Sequence, residues 1–175
     1  HGLPDFAAYV ALLQGDGWAG ERQDFLSALT TNTTHFFRES HHFDILETQL
    51  LPDLIERARR GGRVRLWSAA CSAGQEPYSM ALSVLKLCPD PAGLDLKILA
   101  TDIDPKIVAR ARQALYSDED AAELAKAGRD KALIPAREHP GKYTLPDAAR
   151  ALVTFGTLNL IEDLPFAGPF DAIFC

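Results

Sequence analysis

The spacing of apolar residues changes character once along the chain, near residue 62. Before that point, apolar side chains recur every three or four positions, which is the period of an amphipathic helix. We predict one helix on Phe6, Tyr9, Val10 and Leu13, and a second short helix on Phe25, Leu26 and Leu29. A third apolar stripe follows between residues 43 and 58. Pro52 either kinks this stripe or begins a second helix, and Gly61-Gly62 ends it.

After residue 62, short runs rich in strand-forming residues alternate with helical segments. The runs predicted as strands cover residues 63–69, 94–102, 151–160 and 170–175. The first two are each followed by a helical pattern, which is typical of a parallel sheet with helices packed on its faces. Between residues 116 and 155 the alternation breaks. A charged helical segment and a stretch rich in proline and glycine predict an insertion with a small antiparallel element of its own.

Composition excludes several classes of protein. The chain has 175 residues, 47% hydrophobic and 24% charged, as in an ordinary globular domain, and no run approaches the length of a membrane span. Its net charge of -6 argues against a dedicated nucleic-acid binder. Cys71, Cys88 and Cys175 lie far apart and are odd in number, so they form neither a disulfide framework nor a metal knuckle. We therefore expect a reducing, cytoplasmic setting.

Both ends of the sequence look cut. The chain has no initiator methionine, and it ends in the apolar run "FDAIFC". Because termini usually lie at the surface, we expect a fragment whose strand at residues 170–175 is left unpaired.

The loop after the first predicted strand, "SAACSAGQEP" at residues 68–77, points to a class of cofactor. A dinucleotide enzyme would show several glycines here, whereas this loop has only Gly74, an acid at Glu76 and no basic residue. A carboxylate repels a pyrophosphate but suits a cationic ligand such as S-adenosylmethionine, so NAD is disfavoured. The alternative is that Glu76 is a first-turn acid favoured by the helix dipole.

Polar residues also follow the next two strands. An acid at the end of a strand can accept both hydroxyls of a ribose, and Asp102 is the natural candidate. Asp102 or Asp104 could instead cap the helix that Pro105 begins; Asp104 fits the cap better, which frees Asp102. Asn159 could bind a base edge, although taken alone it is a weak signal and also typical of a turn.

The stretch "TTNTTHFFRESHHF" at residues 30–43 is either an N-cap cluster or part of a ligand site. We expect Phe36 and Phe37 to belong to the core. His35, His41 and His42 suggest a metal site, but adjacent histidines on a helix point about 100° apart and no cysteine or acid completes a recognisable set. No metal site is expected.

Four segments together carry a resemblance to a known family. They are "TTNTTHFFRE", "RLWSAACSAGQEPYSMAL", "ILATDIDPKIVARA" and "LNLIEDLPFAGPFDAIFC". In order and spacing they resemble the CheR-type chemotaxis receptor methyltransferases over nearly the whole chain. The resemblance implies a Rossmann-like S-adenosylmethionine methyltransferase sheet, incomplete here, in an α/β fold. A short helical part precedes this sheet and a small β insertion interrupts it.

The resemblance also implies a function and a set of site residues. Such proteins transfer the methyl group of S-adenosylmethionine to glutamate side chains on the cytoplasmic helices of chemoreceptors. The family's cofactor-binding positions correspond to Asn32, Thr34, Arg38, Glu76, Asp102, Asn159 and Leu160. Arg38 is also the expected catalytic residue, since its planar donor fork suits the methionine carboxylate and orders the site around the methyl group.

The chain departs from the family pattern in ways that limit the activity expected of it. Many relatives carry a further acid where this chain has Gln75, and the family's later strands and most of its N-terminal helical domain are missing. We therefore expect weak or no activity from this chain alone. The predicted division is a helical remnant at 1–30, a linker motif with helices at 31–62, and a truncated methyltransferase domain at 63–175 with its insertion at 116–155.

Two rival functions remain open. One is a non-catalytic signalling module that binds S-adenosylmethionine, and the other is a methyltransferase of the same fold with another substrate. Neither nucleic acid nor membrane insertion is expected, and the sequence does not indicate the oligomeric state.

Overall fold

Two helices open the chain in the computed structural model, which describes residues 2–30, 33–129, 131–166 and 168–175. They are α1 (Phe6–Gln14) and α2 (Trp18–Leu29). The Asp5 side chain caps α1 by accepting a hydrogen bond from the Ala8 N–H at 2.8 Å. The two helices pack against each other through Tyr9 and Phe25, whose ring centroids lie 6.4 Å apart. Phe6 is 78% exposed, so the predicted stripe is covered over only part of its length.

The third stripe forms three consecutive helical pieces. They are α3 (Ser40–Ile45), a π-helical turn (Leu46–Leu50) and α4 (Leu51–Arg59). Pro52 lies in the first turn of α4, where its missing N–H costs no intrahelical hydrogen bond. Of the two roles predicted for Pro52, the structure confirms the start of a second helix. Gly61 follows the end of α4 with φ of 84°, a conformation that favours glycine.

The remaining chain builds a four-stranded parallel sheet and a separate two-stranded one. The strands in chain order are β1 (Val64–Ala69), β2 (Leu96–Asp102), β3 (Ile134–Pro135), β4 (Tyr143–Thr144), β5 (Val153–Thr157) and β6 (Ala172–Phe174). The large sheet has the order β5-β2-β1-β6. Ser68 of β1 therefore lies opposite Ala100 on one side and Phe174 on the other. The α/β fold with a parallel sheet is confirmed.

Helices connect these strands and cover the sheet. They are α5 (Gln75–Leu87), α6 (Pro105–Gln113), α7 (Asp118–Lys126) and α8 (Asp147–Leu152). α5 contacts β1, β2 and β5, and it buries Tyr78, Met80 and Val84. α6 contacts β2 and β5. Because helices cover the sheet, β1 is buried over most of its length, as the continuous apolar run of a central parallel strand requires.

The predicted insertion has its own antiparallel pair, β3 with β4. α7 begins with a capping box, in which the Ser117 and Asp120 side chains each accept from the other residue's backbone N–H. Among the described residues, no helix is long and apolar enough to cross a membrane.

Two strand predictions need correction. In the run at 151–160, Ala151 and Leu152 finish α8, β5 ends at Thr157, and the last three residues form a loop. A short apolar run has no periodicity that separates a helix end from a strand, and burial of the Leu152 side chain in the core decides for the helix.

The expectation that the strand at 170–175 is unpaired is also wrong. β6 pairs in parallel with β1, on the side of β1 that β2 leaves free. This pairing satisfies backbone groups of both strands that would otherwise lack partners.

Candidate functional site

The loop after β1 has an unusual backbone. Ala70 and Ser72 adopt φ of 65° and 48°, and Gly74 adopts 93°. The Cys71 N–H donates to the Thr101 carbonyl at 2.8 Å, which extends the pairing of β1 with β2 into the loop. At Gly74, a Cβ atom would lie 3.1 Å from the Ala111 Cβ, so the position needs glycine for space as well as for φ. Left-handed non-glycine residues are costly and cluster at functional sites.

Two cavities open beside this loop, at the carboxyl ends of the strands. The first, which we call the switch-point cavity, has a volume of about 320 Å³. It lies where the chain order reverses, between the ends of β1 and β6, and it is the position at which open α/β sheets bind ligands. Its lining includes Thr34, Arg38, His42, Ser72, Glu76 and Cys175.

The second cavity, which we call the β2-end cavity, has a volume of about 330 Å³. Its lining includes Thr30, Asp102, Leu158, Asn159, Leu160 and Ile161. Ala70 and Ser72 line both cavities, so the strained loop forms the boundary between them. The predicted residues that the structure describes are thus divided between two adjoining cavities.

Glu76 is the half-buried acid of the switch-point cavity, in the first turn of α5. Its Oε1 accepts a hydrogen bond from the Ser68 hydroxyl at 2.6 Å. Burial raises the pKa of Glu76, although the Ser68 hydrogen bond and the charges of His42 and Arg38 act in the opposite direction. The ion pairs among the described residues do not include Glu76. A cationic ligand group would supply the charge that this carboxylate lacks.

Arg38 lines the same cavity. Its Nη1 donates to the Thr33 carbonyl at 3.2 Å, which leaves other donors of the guanidinium for a ligand. The residues on either side, Phe37 and Glu39, have φ of 53° and 54°. Thr34 lines the cavity as well and is half-buried. The predicted residue Asn32 lies outside the described residues.

Asp102 ends β2 and is 6% exposed. Its Oδ2 accepts from the Ser72 N–H at 2.8 Å, and its Oδ1 accepts from the Asp104 N–H at 3.1 Å. A carboxylate has about four acceptor positions, so it can still receive further hydrogen bonds. Asp104 accepts from the Lys106 N–H and caps α6, which confirms the predicted cap. The ribose role of Asp102 stays a prediction.

Asn159 and Leu160 line the β2-end cavity on the loop after β5. The Asn159 Oδ1 accepts from the Ile161 N–H at 3.2 Å, and its Nδ2 donates to Glu162 at 2.9 Å. The side chain therefore shapes a turn, which is the alternative that the sequence left open. Leu160 is 44% exposed beside it.

Other predicted features of this region can be placed as well. Phe36 and Phe37 are buried, as expected. Burial raises the pKa of the Cys71 thiol to about 12, and the charge of Asp102 adds to this, so Cys71 is a poor nucleophile. No group of three or more potential metal ligands occurs among the described residues.

Sequence reasoning missed several lining residues. His42 was weighed only as a metal ligand, yet it lines the switch-point cavity and its charge acts on Glu76. No helical spacing relates His42 to Arg38, because α3 begins only at Ser40 and Arg38 lies before it, between the left-handed residues Phe37 and Glu39. No local signal in the sequence could therefore have placed His42 in this cavity. Cys175 lines the cavity only because β6 pairs with β1, and no local pattern reveals that pairing.

Cavity size alone would have selected another region. A cavity of about 740 Å³ lies at the insertion and is lined by β3 and β4 residues together with Gln113, Asp147 and Arg150. It contains none of the predicted site residues, so the candidate site rests on chemistry and topology rather than on volume.

The residues of the two adjoining cavities fit S-adenosylmethionine. Glu76, a half-buried acid that no described residue pairs with, suits its ammonium group. Arg38, whose guanidinium keeps donors unused by the described residues, suits its carboxylate, and Asp102 at the end of β2 suits its ribose hydroxyls. The carboxylate of Glu76, beside the loop after β1, would repel a pyrophosphate placed there.

Comparison with known proteins agrees with this chemistry. Residues 32–175 match the family model described as CheR methyltransferase, SAM binding domain, which confirms the predicted resemblance and cofactor. The chain is 51% identical to a "Probable chemotaxis protein methyltransferase" from Rhizobium etli, over 99% of this chain and 65% of that protein. It is 37% identical to the "Chemotaxis protein methyltransferase" of Escherichia coli, over 99% of this chain and 59% of that protein.

The matches to these two relatives cover 99% of this chain but only part of each relative. The chain spans between 58% and 65% of the length of the first curated relatives. A solved structure of a bacterial methyltransferase domain aligns with 73% of this chain and 48% of its own, at a TM-score of 0.32 and 18% identity, a likeness too weak to support an argument. On the family match over residues 32–175, the chain belongs to the CheR methyltransferase family and carries its S-adenosylmethionine-binding domain.

Proposed function

We propose that this chain binds S-adenosylmethionine and serves the transfer of its methyl group to glutamate side chains of chemoreceptors. The observation that carries the proposal is the presence of an acid and a guanidinium together in the lining of the switch-point cavity. The pKa of Glu76 is raised and this residue forms no ion pair with another described residue, and Arg38 lines the same cavity with guanidinium donors that other described residues do not use. This combination fits the zwitterionic end of an amino-acid cofactor.

Each predicted residue receives a role in this proposal. Glu76 would bind the ammonium group, while Arg38 and Thr34 would bind the carboxylate of the methionine part. Asp102 would accept hydrogen bonds from the ribose hydroxyls. Asn159 and Leu160 would border the adenine, and Asn32 is included on the family resemblance alone.

The chemistry asks little of the protein beyond placement. When bound, S-adenosylmethionine supplies an electrophilic methyl group on a sulfonium and leaves as S-adenosylhomocysteine. A substrate glutamate is already ionised at pH 7, so no side chain has to act as a general base. Arg38 would act by orienting the reacting groups, and the walls of the cavity would exclude water from the carboxylate that attacks. We place the catalytic contribution of the chain in alignment and desolvation.

The substrate class rests on the relatives. Their name, "Chemotaxis protein methyltransferase", supports a chemoreceptor substrate and, with it, action on the cytoplasmic side of the membrane. We include in the proposal the division of the chain into a helical remnant at 1–30, a linker at 31–62 and a methyltransferase part at 63–175 with an insertion at 116–155.

Calorimetric titration with S-adenosylmethionine and S-adenosylhomocysteine tests the cofactor site. We expect micromolar binding that is lost in Asp102→Ala and in Arg38→Ala. Asp95→Ala and Arg60→Ala are matched controls, because both residues form ion pairs outside the two cavities. A folded chain that binds neither ligand would contradict the proposal.

A second measurement separates an enzyme from a binding module. The protein is incubated with methyl-labelled S-adenosylmethionine and a receptor cytoplasmic fragment, and base-labile label on the fragment is counted. Labelled glutamate esters would support the enzyme. A homologous methyltransferase serves as the control and must label the same fragment. If this protein then binds S-adenosylmethionine but leaves the fragment unlabelled, the result supports the non-catalytic module instead.

A further inference from the structure

A second buried carboxylate forms a charged cluster away from both cavities. Glu47, in the π-helical turn, is 6% exposed. It accepts hydrogen bonds from Ser83 Oγ at 2.7 Å, from Lys86 Nζ at 2.5 Å and from Arg129 Nη2. Burial raises the pKa of Glu47, but the hydrogen bonds from Lys86, Ser83 and Arg129 outweigh it and the pKa is lowered. We call Glu47, Ser83, Lys86 and Arg129 the Glu47 cluster.

Arg129 is the member of the Glu47 cluster that comes from the insertion, and its backbone is fixed. It follows the end of α7, where Gly128 adopts φ of 70°. The Arg129 N–H donates to the Leu124 carbonyl at 2.8 Å, and the Gly128 N–H donates to Ala125 at 3.0 Å. These two bonds form a Schellman motif, which holds the start of the Arg129 side chain in place.

The Arg129 guanidinium also covers the aromatic ring of Phe37, the residue before Arg38. Its Cζ lies 3.9 Å from the centroid of Phe37, which is 7% exposed. The Phe37 N–H donates to Ser79 Oγ at 3.0 Å, and its ring meets that of Phe43 edge to face at 5.0 Å. Phe37 is therefore fixed by its backbone hydrogen bond and by contacts on its ring, and Arg129 provides one of these ring contacts, a cation–π interaction.

Phe37 directly precedes Arg38, the residue that we propose binds the carboxylate of the cofactor. Phe37 and Glu39 both have left-handed backbones, and Arg38 lies between them in the lining of the switch-point cavity. Left-handed residues of this size persist only when their surroundings fix them. The hold on Phe37 thus also determines where the guanidinium of Arg38 can reach.

We propose that Arg129 is a positioning residue for the cofactor site: anchored by Glu47, it presses on Phe37 and keeps residues 37–39 in the backbone that places Arg38 in the switch-point cavity. The proposal rests on the proposed function insofar as Arg38 binds the cofactor. It assigns to the insertion a direct part in shaping that site, through a residue outside both cavities.

Hydrogen exchange of the Phe37 amide tests the positioning without any ligand. We expect Arg129→Met to speed exchange in the peptide covering residues 33–39 at least tenfold, because methionine fills the space but offers neither charge to Glu47 nor a planar cation to Phe37. Arg129→Lys should keep the ion pair and restore the melting temperature, yet leave exchange at residues 33–39 faster than in the unsubstituted protein.

The matched control is Arg65→Met. The Arg65 side chain is 23% exposed and pairs with Asp95 at 2.6 Å, and that of Arg129 is 20% exposed, so both changes remove a similarly covered arginine from an ion pair. Arg65→Met should lower the melting temperature and leave exchange at residues 33–39 unchanged. If the two variants lower the melting temperature alike and neither changes that exchange, Arg129 is only structural and the proposal is overturned.

Titration with S-adenosylhomocysteine completes the test. Arg129→Met should raise the Kd at least tenfold, whereas Arg65→Met should leave it within twofold. An unchanged Kd in Arg129→Met, in a protein that binds the ligand, would overturn the proposal. If the unsubstituted protein does not bind at all, the proposed function fails, and exchange at residues 33–39 still decides whether Arg129 positions the loop.

Discussion

Two carboxylates near opposite ends of α5 have different surroundings: Glu76 belongs to its first turn, and Glu47 packs against it from the π-helical turn. Glu76, in the first turn of α5, accepts one hydrogen bond from a neutral hydroxyl and its pKa is raised. Glu47 contacts Ser83 and Lys86 nearer the end of α5, receives Arg129 as well, and its pKa is lowered. The negative charge of Glu47 is thus compensated by cations of the protein, whereas no described cation forms an ion pair with Glu76.

The difference separates a structural charge from a binding charge. A buried carboxylate that has cations and hydrogen bonds is stable in its ionised form and has no need of a ligand. A carboxylate that burial destabilises, in a cavity at a topological switch point, gains most from an added cation. Burial alone would have ranked Glu47 above Glu76 as a candidate site residue. The cations beside Glu47 and the neutral hydroxyl beside Glu76 reverse that ranking.

Glu47→Gln should give the largest effect, a loss of stability of about 2–4 kcal/mol. Removing one side of a buried ion pair leaves uncompensated charges, here softened because Lys86 is partly exposed. Unfolding by urea measures the free energy of unfolding. Glu56→Gln is the control, because the exposed i,i+4 pair with Arg60 contributes at most about 0.5 kcal/mol. Equal losses in the two variants would remove the distinction drawn for Glu47.

Glu76→Gln should weaken binding without lowering stability at neutral pH. The amide oxygen can still accept from Ser68, so the fold loses little, while the ammonium group of the cofactor loses its partner. We expect S-adenosylhomocysteine to bind roughly 30-fold more weakly, corresponding to about 2 kcal/mol. Calorimetry gives the affinity and a thermal melt gives the stability. A variant that melts earlier and binds normally would make Glu76 a structural acid like Glu47.

The two acids should also give pH dependences of opposite sign. Between 4.5 and its raised folded pKa, Glu76 binds more protons in the folded protein, so its contribution to stability is lost as pH rises. Between its lowered folded pKa and 4.5, Glu47 binds more protons in the unfolded chain, so its contribution is lost as pH falls. Free energies of unfolding from pH 3 to 7, for the protein and each glutamine variant, measure both slopes. Slopes of the same sign would refute the comparison.

Ala70→Gly should have the smallest effect, a gain of less than about 1 kcal/mol. Relief of the left-handed backbone at φ of 65° favours the variant, and the greater freedom of glycine in the unfolded chain opposes it. Thermal unfolding measures the balance. The same change at Ala69, which has no positive φ, should destabilise the protein because Ala69 is buried in β1. A loss at both positions would show that the loop after β1 carries no releasable strain.

Prediction from sequence succeeded where the signal lies within a few residues. The alternation of strands and helices, the role of Pro52 and the cap formed by Asp104 all follow from neighbours in the chain. It failed at residues 151 and 152, where a helix end and a strand start look alike, and at the pairing of β6, where the partner strand lies about a hundred residues earlier.

The sequence by itself determined the α/β class, the cofactor class and the identity of Glu76 and Asp102 as candidates, because strand ends and capping residues are local properties. Only the tertiary structure decided that Glu47 and Arg129, 82 residues apart, meet under Phe37, and that Cys175 and His42 line one cavity with Glu76. The reason is physical: hydrogen bonding in turns and helices depends on near neighbours, whereas the compensation of a buried charge depends on which distant elements packing brings together.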